Sequence, residues 1–344
     1  MKTIYSKNHI LRNSKTELYG GELVKPFERP ERMEFIINEI KERDLGPIME
    51  PVNMNTDILF KVHDKHYVEF LNVAWKEWVA LALGGEAIPT VWPSRSMNSN
   101  VIPNFIEGKL GYYALANETS ISEGTIEGAY EAVKVVLTAA DILEQEKHIF
   151  ALCRPPGHHA SKDQYGGYCF FNNVAIAAEK LKAKGAERIF ILDIDFHHGN
   201  GTQAIFYDRS DVYFASLHGD PKEAFPHFLG HAEEKGIGEG EGYNINYPMQ
   251  PGTSYNEWAK SLDDAFLKIN IFQPDVLLIS LGVDTYERDP ISFFKLKTND
   301  FFDVGKKISS LNLPTLFVME GGYAIKEIGV NTVNVLKGFE GKDS

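Results

Sequence analysis

Cysteine is nearly absent: Cys153 and Cys169 are the only two in 344 residues. That excludes a disulfide scaffold, predicts two buried thiols and makes a cytoplasmic address the default expectation. Long apolar runs are missing as well. No segment reaches the roughly 18 residues that a membrane span needs, and the opening Met-Lys-Thr-Ile-Tyr-Ser-Lys-Asn-His holds no apolar stretch of signal-peptide length. Basic residues are outnumbered, with 35 Lys and Arg against 48 Asp and Glu for a net charge of −13. Neither nucleic acid nor an anionic membrane is therefore an expected partner, whereas a cationic small molecule is. The chain also lacks a Gly-x-x-x-x-Gly-Lys phosphate loop, internal repeats and low-complexity tracts.

What it does contain is 43% apolar residues, enough for the core of one large domain or two ordinary ones. A short strand is expected at Ile4–Tyr5, followed by an irregular loop from Glu17 to Arg32. Helical spacing marks Pro30–Arg43, with Met33, Ile36, Ile37 and Ile40 on one face, and recurs at Lys65–Ala82 and Ile126–Leu143. Between these last two lies Gly84–Asn104, with three prolines and two glycines, which reads as a long surface excursion. From residue 148 strands and helices alternate: strands at His148–Leu152, Ile189–Ile194, Val212–Leu217, Val276–Leu281 and Thr315–Met319, helices at Asn172–Lys184, Tyr255–Phe272 and Asp300–Leu311. This order predicts an α/β fold, a mainly parallel sheet with helices on both faces and binding sites off the carboxyl ends of the strands.

Polar clusters fall at those ends. In Ile189–Asn200 an apolar strand runs into Asp193, Asp195 and His197, which strand alternation would put on one side, with His198 on the other. Asp195 and His197 are two candidate metal ligands and Asp284, past the fourth strand, a third. Two carboxylates and one imidazole leave a four-coordinate divalent ion open for water or a carbonyl, the arrangement of a catalytic site. Crowding a third carboxylate onto one dication is costly, so Asp193 is expected to support rather than to bind. His158 and His159, in the turn after Pro155-Pro156-Gly157, can supply a general base. Gly321 and Gly322 let the backbone turn tightly and bring the Tyr323 phenol toward the same place, where it could donate to an oxyanion. An isolated Asp-x-His or His pair is more often structural; four such pieces at successive strand ends reverse those odds. The implied reaction is metal-assisted attack of water on an amide or ester. Tyr168, Phe225 and Phe228 are expected in the core or lining the pocket.

Arg-Pro-Pro-Gly-His-His at 154–159, Asp-Ile-Asp-Phe-His-His-Gly-Asn-Gly-Thr at 193–202, Leu-Gly-Val-Asp at 281–284 and Glu-Gly-Gly-Tyr at 320–323 together resemble the signature of the zinc-dependent histone deacetylase superfamily. Within its class II-like members the chain looks like the acetylpolyamine amidohydrolases, a likeness that extends from Leu11-Arg12-Asn13 to Asn334–Gly338. The resemblance implies the arginase/deacetylase fold in one domain over 1–344. It implies Asp195, His197 and Asp284 as metal ligands, His159 as general base and acid, His158 as its electrostatic partner and Tyr323 as carbonyl activator. Zinc is the implied ion, and ferrous iron suits the same donors. Asp193 would bond His158 and join Asp195, His197, Ser216 and Leu217 around K+ or Na+, with a second such site at Phe206, Arg209, Val212 and Tyr243. Tyr168, Phe225 and Ile291 would line the substrate channel, with Glu107 and Glu118 at its mouth for the distal ammonium groups of an acetylated polyamine. Asn200, where many lysine deacetylases carry aspartate, should leave the His159 imidazole less basic. The segment 84–104 would be the insertion through which a homodimer narrows the channel. A deacetylase of acetyl-lysine in proteins, or a non-catalytic binder of acetylated ligands, are the competing readings.

Overall fold

The computed structural model describes residues 1–53 and 55–342. In chain order the elements are β1 (Lys2–Ile4), β2 (Glu17–Tyr19), β3 (Glu22–Val24), α1 (Glu31–Glu42), β4 (Ile48–Met49), α2 (Lys65–Ala80), α3 (Ile106–Tyr113), α4 (Thr125–Glu146) and β5 (His148–Ala151). There follow α5 (Asn173–Ala183), β6 (Ile189–Asp193), α6 (Asn200–Phe206), β7 (Val212–Gly219), β8 (Asn244–Met249), α7 (Tyr255–Phe272), β9 (Val276–Leu281), α8 (Thr298–Ser309), β10 (Thr315–Met319) and α9 (Ile328–Glu340). Eight strands form one sheet in the order β4-β1-β5-β10-β9-β6-β7-β8, and every pairing in it is parallel.

The central strands are apolar throughout because both of their faces are covered. Along β6, Ile189 and Ile191 enter a core shared with α2, α4 and α5, while Phe190 and Leu192 enter the opposite core with α1, α7, α8 and α9. The same alternation divides Leu316 and Val318 from Phe317 and Met319 in β10. Each such side chain withdrawn from water contributes roughly 1.5–3 kcal/mol, so the sheet is the stable platform and the loops at its carboxyl edge are free to carry polar groups.

The expected strands and the helix at Tyr255–Phe272 are present; for that helix Ser254 and Glu257 form a capping box, a signal written in the sequence. Several features differ. Residues 17–24, expected to be irregular, form the β2–β3 hairpin with Tyr19 opposite Glu22. Its turn is Gly20-Gly21 at φ 60° and 86°, a conformation that glycine adopts without steric cost. β8 is an unexpected strand, because Pro248 and two asparagines disguise an edge position. α3, α6 and α9 are unexpected as well. Residues 84–104 run over the surface without helix or strand, anchored where Trp92 Nε1 donates to Ala114 O at 2.9 Å. Among the described residues no helix is long and apolar enough to cross a membrane.

Candidate metal centre and catalytic cleft

The loops at the carboxyl edge follow β5 (152–172), β6 (194–199), β7 (220–243), β9 (282–297) and β10 (320–327). Strand alternation does not explain how Asp195 and His197 meet, since β6 stops at Asp193. Side-chain to backbone bonds take over instead. The Asp193 carboxylate accepts from the Asp195 N–H at 3.1 Å, and Asp195 Oδ1 accepts from the His197 N–H at 2.8 Å. Asp284 joins from the next loop, its Oδ1 accepting from the Phe196 N–H at 2.8 Å. One ligand atom from each of Asp195, His197 and Asp284 lies within 4.8 Å of the others.

The donor set fits a divalent cation. Asp195 and Asp284 are fully buried and His197 is 8% exposed, so two carboxylates face each other out of water, which is unfavourable without positive charge between them. Here the imidazole supplies it: His197 Nδ1 lies 3.0 Å from Asp284 Oδ2 and 3.3 Å from Asp195 Oδ1. Burial alone would lower the His197 pKa, but the two carboxylates raise it to about 10. Burial and the Asp195 charge push Asp284 up to about 6. A metal ion would do the same neutralising work more completely. The backbone approaches the two carboxylates closely: a Cβ on Gly321 would press on Asp284 Oδ2 and come to 2.5 Å from Asp195 Oδ2.

Beside this centre the two histidines of the 152–172 loop are set differently. His158 donates from Nδ1 to Asp193 Oδ2 at 2.9 Å, and its Nε2 lies 3.9 Å from Asp195 Oδ1. Burial opposes its charge, yet Asp193 and Asp195 raise its pKa to about 10. His159 donates from Nδ1 to Asn200 Oδ1 at 2.7 Å, which leaves Nε2 as the free acceptor. Burial, then the charges of His158 and His197, hold the His159 pKa well below the usual imidazole value. Glu320, part of the 320–323 motif but without an expected role, fixes the turn beneath the pair: its Oε2 accepts from the N–H groups of Gly157 and His158 at 2.6 and 3.1 Å. Tyr323 is 6% exposed, and burial pushes its phenol well above the usual pKa, against a smaller opposing effect of Arg32. Arg32, equally unmarked in the sequence, donates to Gly322 O at 2.7 Å and lies 4.9 Å from the Tyr323 ring centre.

A cleft of about 360 Å³ leads from the surface to His159, His197 and Tyr323, walled by Tyr168, Phe196, Phe225, Ile291 and Phe293. Tyr168 sits at φ 68°, unusual for a residue with a side chain, and is held by its hydroxyl donating to Glu17 Oε1 at 2.7 Å. Glu17, Glu118 and Glu223 line the same cleft, and burial pushes Glu17 up to about 7 although the Tyr168 hydroxyl lowers it.

Comparison with known proteins agrees with this arrangement. Residues 26–339 match the histone deacetylase domain. The acetylpolyamine amidohydrolase of Mycoplana ramosa is 53% identical over 342 residues, covering 99% of this chain and 100% of that protein. The chain belongs to the histone deacetylase family. Acetylpolyamine amidohydrolase 1 of Pseudomonas aeruginosa, another relative, is 47% identical over 99% of both chains. The crystal structure of acetylpolyamine aminohydrolase from Burkholderia pseudomallei superposes with a TM-score of 0.93 at 36% identity, over 98% of each chain. Family members are deacetylases, and so the chain is a metal-dependent hydrolase of the deacetylase type with an arginase/deacetylase fold.

The remaining expected residues of this family member divide. Tyr168, Phe225, Ile291 and Glu118 line the cleft, whereas Glu107 is exposed on α3 and does not. Phe228 is 87% exposed, neither core nor pocket wall, because the 220–243 loop turns it outward after Phe225. Ser216 Oγ is bonded to His218 Nδ1 at 2.8 Å, with His198 Nδ1 at 3.3 Å, so His198 faces away from the triad. In the second expected monovalent-ion set Phe206 O accepts from Arg209 N–H at 3.0 Å, and Tyr243 O from Phe214 N–H at 2.9 Å. Both cysteines are buried and free.

Proposed function

We propose that this enzyme hydrolyses the acetamide of acetylated polyamines, in the class of acetylputrescine, acetylcadaverine and acetylspermidine. The observation that carries the reading is the cleft itself: a passage of about 360 Å³ walled by aromatic side chains and lined by three acidic residues, Glu17, Glu118 and Glu223, together with His159 and Tyr323. A slender aliphatic cation is complementary to such a passage, and the names of the full-length relatives point the same way. The net charge of −13 adds long-range attraction.

A divalent ion held by Asp195, His197 and Asp284, zinc on our reading and ferrous iron as the alternative, would supply Lewis acidity toward the amide carbonyl and lower the pKa of water. His159, neutral and with Nε2 free, takes the proton of the attacking water as the new C–O bond forms. It then returns that proton to the leaving nitrogen as the C–N bond breaks, giving acetate and the free amine. His158 keeps its own proton through Asp193 and contributes positive charge as the carbonyl oxygen becomes negative. The Tyr323 hydroxyl, protonated at any physiological pH, donates a hydrogen bond to that oxygen. We assign the set Asp193, Asp195, His197, Ser216 and Leu217, and the set Phe206, Arg209, Val212 and Tyr243, to K+ or Na+. The whole chain acts as one deacetylase domain. Segment 84–104, with Val91, Met97, Val101 and Ile102 each at least 40% exposed, is read as the contact of a cytoplasmic homodimer that brings Glu107 to a neighbouring mouth.

The test compares kcat/KM on acetylputrescine and on an acetyl-lysine peptide, with metal content and sedimentation measured on the same preparation. A dimer with one divalent ion per chain and at least tenfold preference for the small substrate is expected, about 1.4 kcal/mol of discrimination. Preference for the peptide would replace this reading with that of a protein deacetylase. A metal-loaded protein that hydrolyses neither would be a binder.

A further inference from the structure

Asp289 is a buried carboxylate that neither the metal triad nor the proton path uses. It is 7% exposed and its two oxygens accept from three backbone N–H groups on two loops. Oδ1 takes Ile291 at 3.2 Å; Oδ2 takes Tyr323 at 2.7 Å and Ala324 at 3.2 Å. Residues 320–327 form no helix or strand: backbone bonds join Glu320 N–H to Leu281 O at 2.9 Å and Val283 N–H to Gly321 O at 3.1 Å, and among the described residues none reaches Tyr323. Upstream, Gly321 N–H is held by Asp195 Oδ2 at 2.7 Å and Gly322 O by Arg32. The Asp195 bond precedes two glycines' worth of rotational freedom, with Gly322 at φ 131°, whereas Arg32 holds the Gly322–Tyr323 peptide plane from its carbonyl side. The bond to Asp289 acts on the Tyr323 N–H itself.

We infer that Asp289 is a positioning residue for the Tyr323 hydroxyl. Its carboxylate ties the backbone of Tyr323 to the loop that carries Asp284 and Ile291, so that phenol, metal ligand and cleft wall keep one relative placement. Three N–H bonds accepted by one side chain leave little play, although burial and the Asp284 charge raise the Asp289 pKa to about 7. The leverage is large, because a hydroxyl at the far end of a tyrosine ring leaves its working position, about 0.5 Å or 10–20° wide, on a small backbone rotation. Nothing in this role requires Asp289 to touch substrate.

The inference rests on Tyr323 acting as the donor proposed above, and a double-mutant cycle separates the two. Asp289→Asn is nearly isosteric but turns an N–H2 toward one of the backbone N–H groups. With whichever acetylamide the enzyme turns over best, Asp289→Asn should lower kcat by about tenfold to a hundredfold, as a misplaced catalytic group does. KM and metal content should stay within about twofold, since binding and the triad are untouched. In a Tyr323→Phe background, where no hydroxyl is left to place, the same substitution should change kcat by less than about twofold. An equal loss with and without the hydroxyl overturns the inference, as does a loss explained by missing metal; both would make Asp289 a brace of the loop alone. Wild-type turnover by Tyr323→Phe overturns the donor role and the inference with it, and is visible before Asp289 is altered. Should Asp289→Asn not fold, Asp289→Ser, which keeps one accepting oxygen, enters the same cycle under the same criteria.

Discussion

Asn200→Asp asks whether His159 is the group that accepts the proton. Asn200 opens α6, with Oδ1 accepting from His159 Nδ1 at 2.7 Å and Nδ2 donating to His159 O at 3.3 Å. Burial and the neighbouring cationic His158 keep His159 neutral, so its acid limb lies at low pH. The substitution places an anion against Nδ1. Two unit charges 4 Å apart interact by about 4 kcal/mol at an effective dielectric constant near 20, and an opposite charge at such range typically raises an imidazole pKa by about 1–3. Burial of the new carboxylate works against its own ionisation, so a rise of about 1–2 is expected. The sign follows directly: His159 must be neutral to act, its pKa rises, and the acid limb of kcat/KM moves to higher pH by the same amount. Below the limb the variant should lose about tenfold in rate for each pH unit that the limb moves. Stability should also fall by about 1–3 kcal/mol, because the second oxygen of the introduced carboxylate would face His159 O where an N–H now donates. The assay is a pH profile of kcat/KM for both proteins, with metal content measured at each pH. A metal-loaded variant whose acid limb stays in place or moves down would mean that the proton is taken elsewhere.

Two further outcomes follow from the structure. Gly321→Ala removes no ligand, but its Cβ would press on the carboxylates of Asp195 and Asp284; metal affinity should fall about tenfold to a hundredfold, and wild-type affinity by metal titration would refute the claim that this close approach shapes the centre. His63 donates from Nδ1 to Ser161 O at 2.8 Å and accepts at Nε2 from Asn172 N–H at 2.9 Å, so it can only be neutral, and burial lowers its pKa to about 4. The unfolded chain, protonating near 6.5, gains the proton first: stability is full above that pH and lost as pH falls toward 4, up to about 2 kcal/mol by pH 5. His63→Gln, which keeps one donor and one acceptor, should show the smaller loss in unfolding experiments between pH 7 and 5; an equal loss refutes the assignment.

How much of this is readable beforehand depends on where each partner lies in the chain. β6, β9 and β10 are legible because burial on both faces writes itself as an unbroken apolar run, and α7 because its cap is a Ser-x-x-Glu. The convergence of Asp195, His197 and Asp284 is legible from strand order, although the local reason differs from the expected one: a carboxylate-to-backbone ladder, not strand alternation, joins the first two. Glu320, Asp289 and Arg32 are illegible because their partners are backbone groups far away in sequence, such as Arg32 Nε with Gly322 O. The hairpin at 17–24 has a signal, Gly20-Gly21 between short apolar pairs, that the surrounding charge obscures. Phe228 shows the limit of composition: an aromatic beside a glycine-rich loop near the site is 87% exposed.

The buried acids around the centre have a common arrangement that explains why so many are tolerated. The Asp284 carboxylate accepts from Phe196 N–H, Asp195 from Gly321 N–H, Asp289 from Tyr323 N–H and Glu320 from Gly157 N–H. Each bond joins two different loops, and the loops joined follow strands β5, β10, β9 and β6, which lie side by side in that order. Glu320 links the loops after β5 and β10, Asp289 those after β10 and β9, and Asp284 those after β9 and β6. Irregular loops packed against one another carry backbone N–H groups that no ladder satisfies; each carboxylate satisfies one or more of them and is itself stabilised as an anion by doing so. Asp195 and Asp284 also face each other, where a cation belongs. The same bonds therefore offset part of the cost of burying charge, burial still pushing Asp289 and Glu320 up to about 7, and hold His159, the triad and Tyr323 in register across four strands. A site assembled in this way is pre-organised by its own backbone, and the metal need only complete it.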